Sequence, residues 1–242
     1  MKPGNLYIVA TPIGNPQDIT LRALDILRMV DAVVCEEARP GSTLLKKYDI
    51  QKPLILFNEH NENQVIPDIV ARLNGSQNLA LISDCGTPVF ADPGLSLLNA
   101  LEQTGSRVIP IPGPASLSAA ISVCKFDLNQ FVFGGFLPRE HQERRKALAV
   151  LQTTRLPIIL MDAPYRLKQL LEDIAAIFGS NQQVMLGCDL TLPGEKIIHG
   201  SISSVTRIMA GWKGEFVLIL AGYGSGSRVK RARRLRSGKR SQ

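Results

Sequence analysis

Short apolar runs recur along the chain and alternate with segments whose apolar residues return with helical spacing. Runs of four to six residues bounded by turn residues are typical of strands that are buried on both faces. Spacing by three and four residues is typical of helices that cover a sheet. Strands are predicted at residues 6–10, 32–35, 54–57, 79–82, 108–111, 131–134, 157–161, 183–187 and 216–221, and helices around residues 21–27, 66–73 and 167–177. The alternation predicts an α/β fold.

Two breaks in this pattern indicate how the chain is divided. The segment Ile111-Pro112-Gly113-Pro114 cannot continue a strand or helix, because proline removes donors and restricts the residue before it. A second break is predicted at residues 134–139. We therefore expect an N-terminal α/β domain over residues 1–114, a C-terminal α/β domain over residues 115–224 and a tail over residues 225–242.

The composition of the chain is that of packed domains, and the tail differs from these domains in its charge. The chain has 242 residues, of which 45% are hydrophobic, and this is typical of globular proteins. The net charge of +7 is unevenly distributed: residues 225–242 contain eight Lys and Arg and no acid, which leaves 20 basic and 21 acidic residues elsewhere. We expect a disordered basic tail that attracts polyanions. A solubilising role and attachment to RNA or the ribosome are the two interpretations of this tail.

Several function classes lack their sequence signals. No apolar run reaches the ~18–20 residues that span a bilayer, and the N-terminus lacks the apolar core of a signal peptide, so we expect no membrane association and a cytoplasmic location. The four cysteines form no C-x-x-C pair and the histidines have no metal-ligand spacing, so no metal is expected. Cys35 and Cys188 end apolar runs and are predicted to be buried. Neither a G-x-S-x-G elbow nor a standard phosphate-binding loop is present.

Three strand-to-loop junctions carry the residues best suited to a ligand site. In open α/β sheets ligands bind beyond the carboxyl ends of the strands. The loops at residues 10–18, 83–94 and 112–117 combine Pro and Gly with acids and hydroxyls. Gly86 permits close approach of a ligand, and Asp92 or Ser96 is expected to help start the following helix. A rigid ligand loop and a merely rigid turn are the two interpretations of residues 83–94.

Two further junctions contain titratable side chains. His60, which we expect to be packed between Glu59 and Glu62, is either a proton-transfer residue or part of a loop-ordering cluster. Glu36 and Glu37 follow another strand, and one of them is expected to face the site while the other is solvated or bound to Arg39. His141 begins a charged helix and is expected to face solvent.

The motifs at these junctions together resemble those of the tetrapyrrole methylase superfamily, and in particular its bacterial 16S ribosomal RNA 2'-O-ribose methyltransferases. The resemblance covers about residues 5–222. It rests on Ala10-Thr11-Pro12-Ile13-Gly14-Asn15, Ser83-Asp84-Cys85-Gly86-Thr87-Pro88 and Ile111-Pro112-Gly113-Pro114, and on the segments at residues 18–24, 59–62, 92–94, 135–139, 163–166 and 213–217. No single motif is specific for the family, but so many motifs in the same order along the chain are.

The resemblance implies two α/β domains, S-adenosylmethionine in a cleft between them, and a homodimer that acts on ribosomal RNA or the small ribosomal subunit. By motif, the residues that contact the cofactor would be Pro12, Asp84, Cys85, Gly86, Thr87, Phe90, Ala115, Ser116, Met161 and Leu190. The residues that contact the substrate would be Arg22, Glu36, Arg39, Glu59, His60 and Arg139, with Arg144 and Arg145 extending the RNA surface. Methyl transfer from a sulfonium needs alignment and a proton acceptor, and Glu36, Glu59, His60 and Asp84 all remain candidates.

This chain departs from the usual motifs at three places, which affects the acceptor more than the fold. Glu36-Glu37-Ala38-Arg39 replaces the usual Glu-Asp-Thr-Arg. The Pro40-Gly41 that follows is expected to shorten or bend the next helix. Residues 188–192 replace Arg-Glu-Leu-Thr-Lys, and Pro114-Ala115-Ser116 replaces Pro-Ser-Ala. Methylation of a tetrapyrrole-like small substrate and a non-catalytic RNA-binding paralogue therefore stay as alternatives. Few aromatic residues (5%) favour recognition of RNA by shape.

Overall fold

The computed structural model describes residues 2–90 and 93–223 and divides the chain into two compact units between Ala115 and Ser116. The predicted tail at residues 225–242 and the predicted helix-starting Asp92 lie outside the described residues. Both units are α/β, which confirms the predicted fold class. Each unit is described below by itself.

The first unit is a parallel sheet with helices on both faces. Its strands lie in the order β3-β2-β4-β1-β5 and every neighbouring pair is parallel. Alternate residues enter two separate cores: Val33 and Cys35 pack on one face, and Ala32 and Val34 on the other. The strands are β1 (Leu6–Val9), β2 (Ala32–Cys35), β3 (Leu54–Leu56), β4 (Leu79–Ile82) and β5 (Val108–Ile111), and the helices are α1 (Leu21–Met29), α2 (Ala38–Lys47), α3 (Glu62–Asn74) and α4 (Leu95–Leu101).

The second unit contains a mixed sheet. Its strands lie in the order β6-β7-β10-β8-β9, and only β6 and β7 are parallel. Helices from three parts of the chain bury their apolar sides on one core together with Leu160, Leu186 and Leu218. The strands are β6 (Val132–Phe136), β7 (Ile158–Asp162), β8 (Gln183–Cys188), β9 (Lys196–Ser201) and β10 (Phe216–Leu220), and the helices are α5 (Ser116–Val123), α6 (His141–Thr153), α7 (Leu167–Phe178) and α8 (Ile202–Ile208).

Some local expectations from the sequence are wrong. The predicted break at residues 134–139 begins inside β6, which absorbs Gly134 and Gly135 through a register shift after Phe133. Pro40 does not shorten α2, because it lies in the first turn, where backbone N–H groups have no intrahelical partner. Ser96 does not cap α4, since its hydroxyl donates to Glu62 Oε2 at 2.7 Å and Gly94 stands at the cap.

Candidate active site

The loops after β1, β4 and β5 meet at one edge of the first sheet. The Thr11 backbone N–H donates to the Gly86 carbonyl at 2.8 Å, and its hydroxyl donates to the Ser83 carbonyl at 3.0 Å. The Thr87 hydroxyl donates to the Pro114 carbonyl at 3.3 Å. The three junctions chosen from the sequence are therefore tied to one another, as the carboxyl ends of adjacent parallel strands allow.

Two glycines let these loops approach closely. Gly86 has φ +83°, a conformation that other residues rarely adopt, and a Cβ there would lie 3.3 Å from Ile13 Cγ2. A Cβ on Gly113 would lie 3.0 Å from the Cβ of Ala10. The backbone of the loop cluster is thus closely packed, which favours a preorganised site.

The predicted cofactor residues on this cluster present both polar and apolar groups. Asp84, Cys85 and Thr87 are exposed, Phe90 is 50% exposed and Pro12 is half-buried. The Cys85 thiol lies 3.6 Å from the Ile13 carbonyl oxygen. A carboxylate, a hydroxyl and two flat apolar side chains are suited to a ligand with both cationic and apolar parts.

The Asp84 carboxylate, which follows β4, lies close enough to the neighbouring strand β2 to affect the Cys35 thiol. Burial raises the pKa of the Cys35 thiol to about 11, and the Asp84 carboxylate adds to this rise. Glu36, directly after Cys35, is half-buried, whereas Glu37 is exposed where α2 begins. Gly41 of α2 packs on Cys35, since a Cβ there would lie 2.9 Å from the Cys35 Sγ.

His60 is not packed between two glutamates as expected. Its side chain is 85% exposed and its Nε2 lies 3.5 Å from Glu59 Oε1, while Glu62 accepts the Ser96 hydroxyl instead. The loop is ordered by asparagines: Asn61 Oδ1 accepts the Asn58 N–H at 2.8 Å, and Asn58 Oδ1 accepts the His60 N–H at 3.1 Å. The side chains that order this loop are therefore Asn58 and Asn61, and the His60 imidazole is not among them.

Two predicted cofactor residues of the second unit, Met161 and Leu190, lie at the edge of its sheet where β7 and β8 end. Val217 of β10 is paired with Met161 on one side and Gly187 on the other. Leu190 is only 8% exposed, and a Cβ on Gly187 would lie 3.2 Å from its Cδ2. Met161 is half-buried, as are Ala115 and Ser116, the latter being the first residue of α5.

Asp189 and Glu215 are hydrogen-bonded to each other at the same edge of the sheet. The sequence alone did not identify this pair. Asp189 has φ 47°, and its Oδ1 accepts the Glu215 N–H at 3.2 Å. A Cβ on Gly214 would lie 2.5 Å from that oxygen, so a side chain there would have to displace the Asp189 carboxylate. Burial raises the pKa of Glu215, and the Asp189 charge raises it further. The Lys213-Gly214-Glu215 motif was the available signal.

Comparison with known proteins identifies this arrangement. The family model for tetrapyrrole (corrin/porphyrin) methylases matches residues 5–206. The chain belongs to the tetrapyrrole methylase family. Its members are methyltransferases, so the predicted enzyme class is confirmed.

Curated relatives match this methylase over most of its length. Proteins named ribosomal RNA small subunit methyltransferase I are 40% identical in Xylella fastidiosa, over 91% of this chain and 82% of that one, and 38% identical in Thermotoga maritima, over 90% and 99%. Among solved structures, diphthine synthase aligns with TM-score 0.74 at 14% identity, over 97% of this chain and 95% of that one. Cobalt precorrin-4 methyltransferase aligns with TM-score 0.67 at 17% identity, over 90% and 94%. These structural likenesses show the fold.

Arg144 of the methylase does not belong to an exposed RNA surface. It is 2% exposed, and its guanidinium donates from Nη2 to Asp173 Oδ2 at 2.6 Å and from Nη1 to the Arg139 carbonyl at 2.8 Å. Arg145 Nε also binds Asp173, at 2.7 Å, as does His141 Nδ1, at 2.9 Å. His141 is thus not simply solvent-facing. We name Asp173, Arg144, Arg145 and His141 the Asp173 cluster.

Arg166 extends the support of the loop at residues 137–139. It donates to the Pro138 carbonyl at 2.8 Å and pairs with Asp162 Oδ1 at 2.9 Å. Within the described residues, Asp162 Oδ2 is buried without a hydrogen-bond partner. Burial raises the pKa of Asp162, although the Ala163 N–H, Arg166 and Arg144 oppose the rise.

The remaining predicted substrate residues lie on the surface of their units. Arg22 of α1, Arg39 of α2, Glu59 and Arg139 are exposed. Within residues 2–90 and 93–223, no three His, Cys, Asp or Glu side chains are grouped to hold a metal ion. None of the described helices is both long and apolar enough to cross a bilayer.

The Asp173 cluster makes stability sensitive to acid. Burial strongly opposes ionisation of Asp173, but the hydrogen bonds from Arg145 and Arg144 and the nearby positive charges outweigh it, so its pKa lies below the ordinary value of 3.8. A depressed folded-state pKa contributes stability that is present above pH 3.8 and lost as the pH falls through the folded value.

We therefore expect the stability advantage of the wild type over Asp173→Asn to shrink as the pH is lowered from 5 to 2. Urea unfolding at several pH values measures it. An advantage that is constant over this range would contradict the assignment.

Proposed function

We propose that this methylase transfers a methyl group from S-adenosylmethionine to a ribose 2'-hydroxyl of 16S ribosomal RNA, in the cytoplasm. The observation that carries the proposal is the loop cluster around Gly86, whose residues are those of the family motif. Relatives of about 40% identity bear the name ribosomal RNA small subunit methyltransferase I.

The side chains of the first unit fit this cofactor. S-adenosylmethionine supplies a methyl group on a positively charged sulfur. Exposed Asp84 offers a carboxylate to a cationic group, Thr87 offers a hydroxyl, and Pro12 and Phe90 offer apolar surface. We assign Cys85 and Gly86, with Ala115, Ser116, Met161 and Leu190, to the same ligand.

The acceptor hydroxyl must lose its proton during transfer. Glu36 and Asp84 stand at the carboxyl ends of neighbouring strands, and both are carboxylates that can accept a proton. Glu59 and His60 are exposed on a separate loop, so we assign them with Arg22, Arg39 and Arg139 to RNA contact. Glu36→Gln and Asp84→Asn separate these roles, because the proton acceptor affects kcat and its pH profile while a cofactor contact affects cofactor affinity.

The acceptor is tested by mapping ribose methylation in 16S RNA from cells with and without this protein. We expect one ribose methylation to disappear and to return when the purified protein and S-adenosylmethionine are added. An unchanged map would exclude the RNA function but leave the family assignment intact.

Cofactor binding is expected to protect one cysteine from alkylation. The described thiols differ sharply: Cys85 is exposed, whereas Cys35, Cys124 and Cys188 are buried. Burial and the Asp189 charge raise the pKa of Cys188 to about 12. Iodoacetamide at pH 8 should thus modify Cys85 first, as measured by peptide mass spectrometry.

S-adenosylhomocysteine at ten times its Kd should slow this modification roughly tenfold, because only the ligand-free protein reacts. An equal concentration of methionine, which has no thiol to consume the iodoacetamide, is the control. Unchanged alkylation of Cys85 by a protein that binds S-adenosylhomocysteine would remove Cys85 from the cofactor site.

We further propose that the methylase acts as a homodimer, the assembly that the family resemblance implies. Light scattering on the eluted protein should give twice the chain mass. A mass of one chain at micromolar concentration would contradict the proposal.

A further inference from the structure

The second unit contains a cavity that the methyl-transfer site does not use. It has a volume of about 360 Å³ and lies between the start of α7, the end of α8 and the turn before β10. Its floor includes Leu171 and Met209, which belong to the same core as Leu160. Successive residues of a strand point to opposite faces, so Met161 lies on the other face of the sheet. The cavity and Met161 therefore lie on opposite faces of the sheet.

Two aromatic side chains line the cavity. Tyr165, in the turn that precedes α7, is 69% exposed, and Trp212 in the turn before β10 is half-buried. Flat aromatic surfaces of this kind stack with nucleobases. The volume is near the lower end of the ~300–1,000 Å³ that ligand cavities occupy, which suits a single base rather than a long ligand.

The charged side chains that line the cavity favour an anionic ligand. Lys168 and Lys213 line it and both are exposed, and none of the lining residues in the described chain is acidic. Glu172 Oε1 lies 4.0 Å from the Lys168 Nζ, and at that distance between exposed groups it offsets little of the lysine charge. Two ammonium groups beside two aromatic rings match a phosphate attached to a planar base.

We propose that this cavity binds one unpaired nucleotide of the RNA substrate, with its base against Tyr165 and Trp212 and its phosphates near Lys168 and Lys213. The inference rests on the proposed RNA function and extends it. The chain as a whole is poor in aromatic residues, so the cavity would hold one flipped-out or unpaired nucleotide while the remaining RNA is bound through its backbone.

Trp212 allows a direct test, because it is the single tryptophan of the chain. We expect single-stranded hexa-adenylate RNA to quench or shift its fluorescence when added to the full-length protein. Tyr165→Ala should weaken the apparent Kd roughly 5- to 100-fold, the range that loss of one base–aromatic stack produces. Tyr165→Phe retains the ring and should bind nearly as the wild type does.

The lysines are tested by their salt dependence. The double change Lys168→Ala and Lys213→Ala should weaken binding and reduce the slope of log Kd against log salt by about 2. Lys196→Ala, which alters an exposed lysine of β9 outside the cavity lining, is the matched control and should leave the fluorescence response to RNA nearly unchanged.

The outcomes separate this inference from the proposed function. Equal fluorescence responses of the wild type and the Tyr165→Ala and lysine variants would overturn the cavity site, and so would an equal response to hexaglutamate, since that peptide carries charge without a base. Methylation of 16S RNA with no fluorescence response to hexa-adenylate would overturn the cavity site alone. A response that depends on Tyr165, together with an unchanged 16S methylation map, would overturn the proposed function and retain the nucleotide site.

Discussion

Replacing Asp173 with asparagine is expected to destabilise the second unit by about 3–5 kcal/mol. The change leaves Arg144 buried at 2% exposure with no counter-charge, and it brings Arg145 and His141 beside an uncompensated cation. Thermal unfolding followed by circular dichroism should show a midpoint lowered by roughly 6–20 °C.

Glu172 supplies the matched control for this prediction. It precedes Asp173 on α7 but is 54% exposed, with Lys168 only at 4.0 Å, so Glu172→Gln should change stability by less than about 0.5 kcal/mol. The double variant with Arg144→Met should lose less than the sum of the two single changes, because it removes the buried charge that Asp173→Asn leaves behind. Additive losses would show that Arg144 and Asp173 do not stabilise each other.

Gly86→Val is expected to lower the affinity for S-adenosylhomocysteine at least ~10-fold, or about 1.4 kcal/mol. Valine is strongly disfavoured at φ +83°, and its Cβ would lie 3.3 Å from Ile13 Cγ2. Relief of this strain must move the loop that hydrogen-bonds to Thr11, and with it Asp84 and Thr87. Isothermal titration calorimetry measures the change.

Gly105→Val separates loop displacement from general strain. Gly105 has φ +72° in the same unit, but its nearest neighbour for a Cβ is Pro3 Cγ at 3.6 Å, an ordinary contact. Both variants carry backbone strain of roughly 1–3 kcal/mol, and only Gly86→Val should alter cofactor affinity. Equal affinities of the two variants would remove Gly86 from the cofactor site.

The sequence predicted the first sheet and its loop cluster well, because local signals coincide there. Buried parallel strands are continuous apolar runs, and Pro and Gly follow them at residues 12, 86 and 113. By contrast, β9 was missed. Its Lys196, His199 and Ser201 dilute the apolar signal, and an antiparallel edge strand needs only one buried face.

Arg144 shows why burial of charge escaped prediction. Its neighbours at residues 140–146 are mostly charged, so the segment has the composition of an exposed helix start. The spacing of Arg144 by four residues from Leu148 was a signal that both side chains share a face. The partner that makes burial tolerable is Asp173, 29 residues away, and no local pattern links the two.

The place of β10 has a consequence for how the protein is made. It is the last strand in the described chain, yet it lies in the middle of its sheet, between β7 and β8. The first unit has every one of its strands once Ile111 has been synthesised, whereas β7 and β8 have no strand to join them until Leu220 is available. During translation the N-terminal half is thus free to fold early, whereas the C-terminal half cannot complete its sheet until this strand has been synthesised, and we expect the unpaired edges of β7 and β8 to favour aggregation until then.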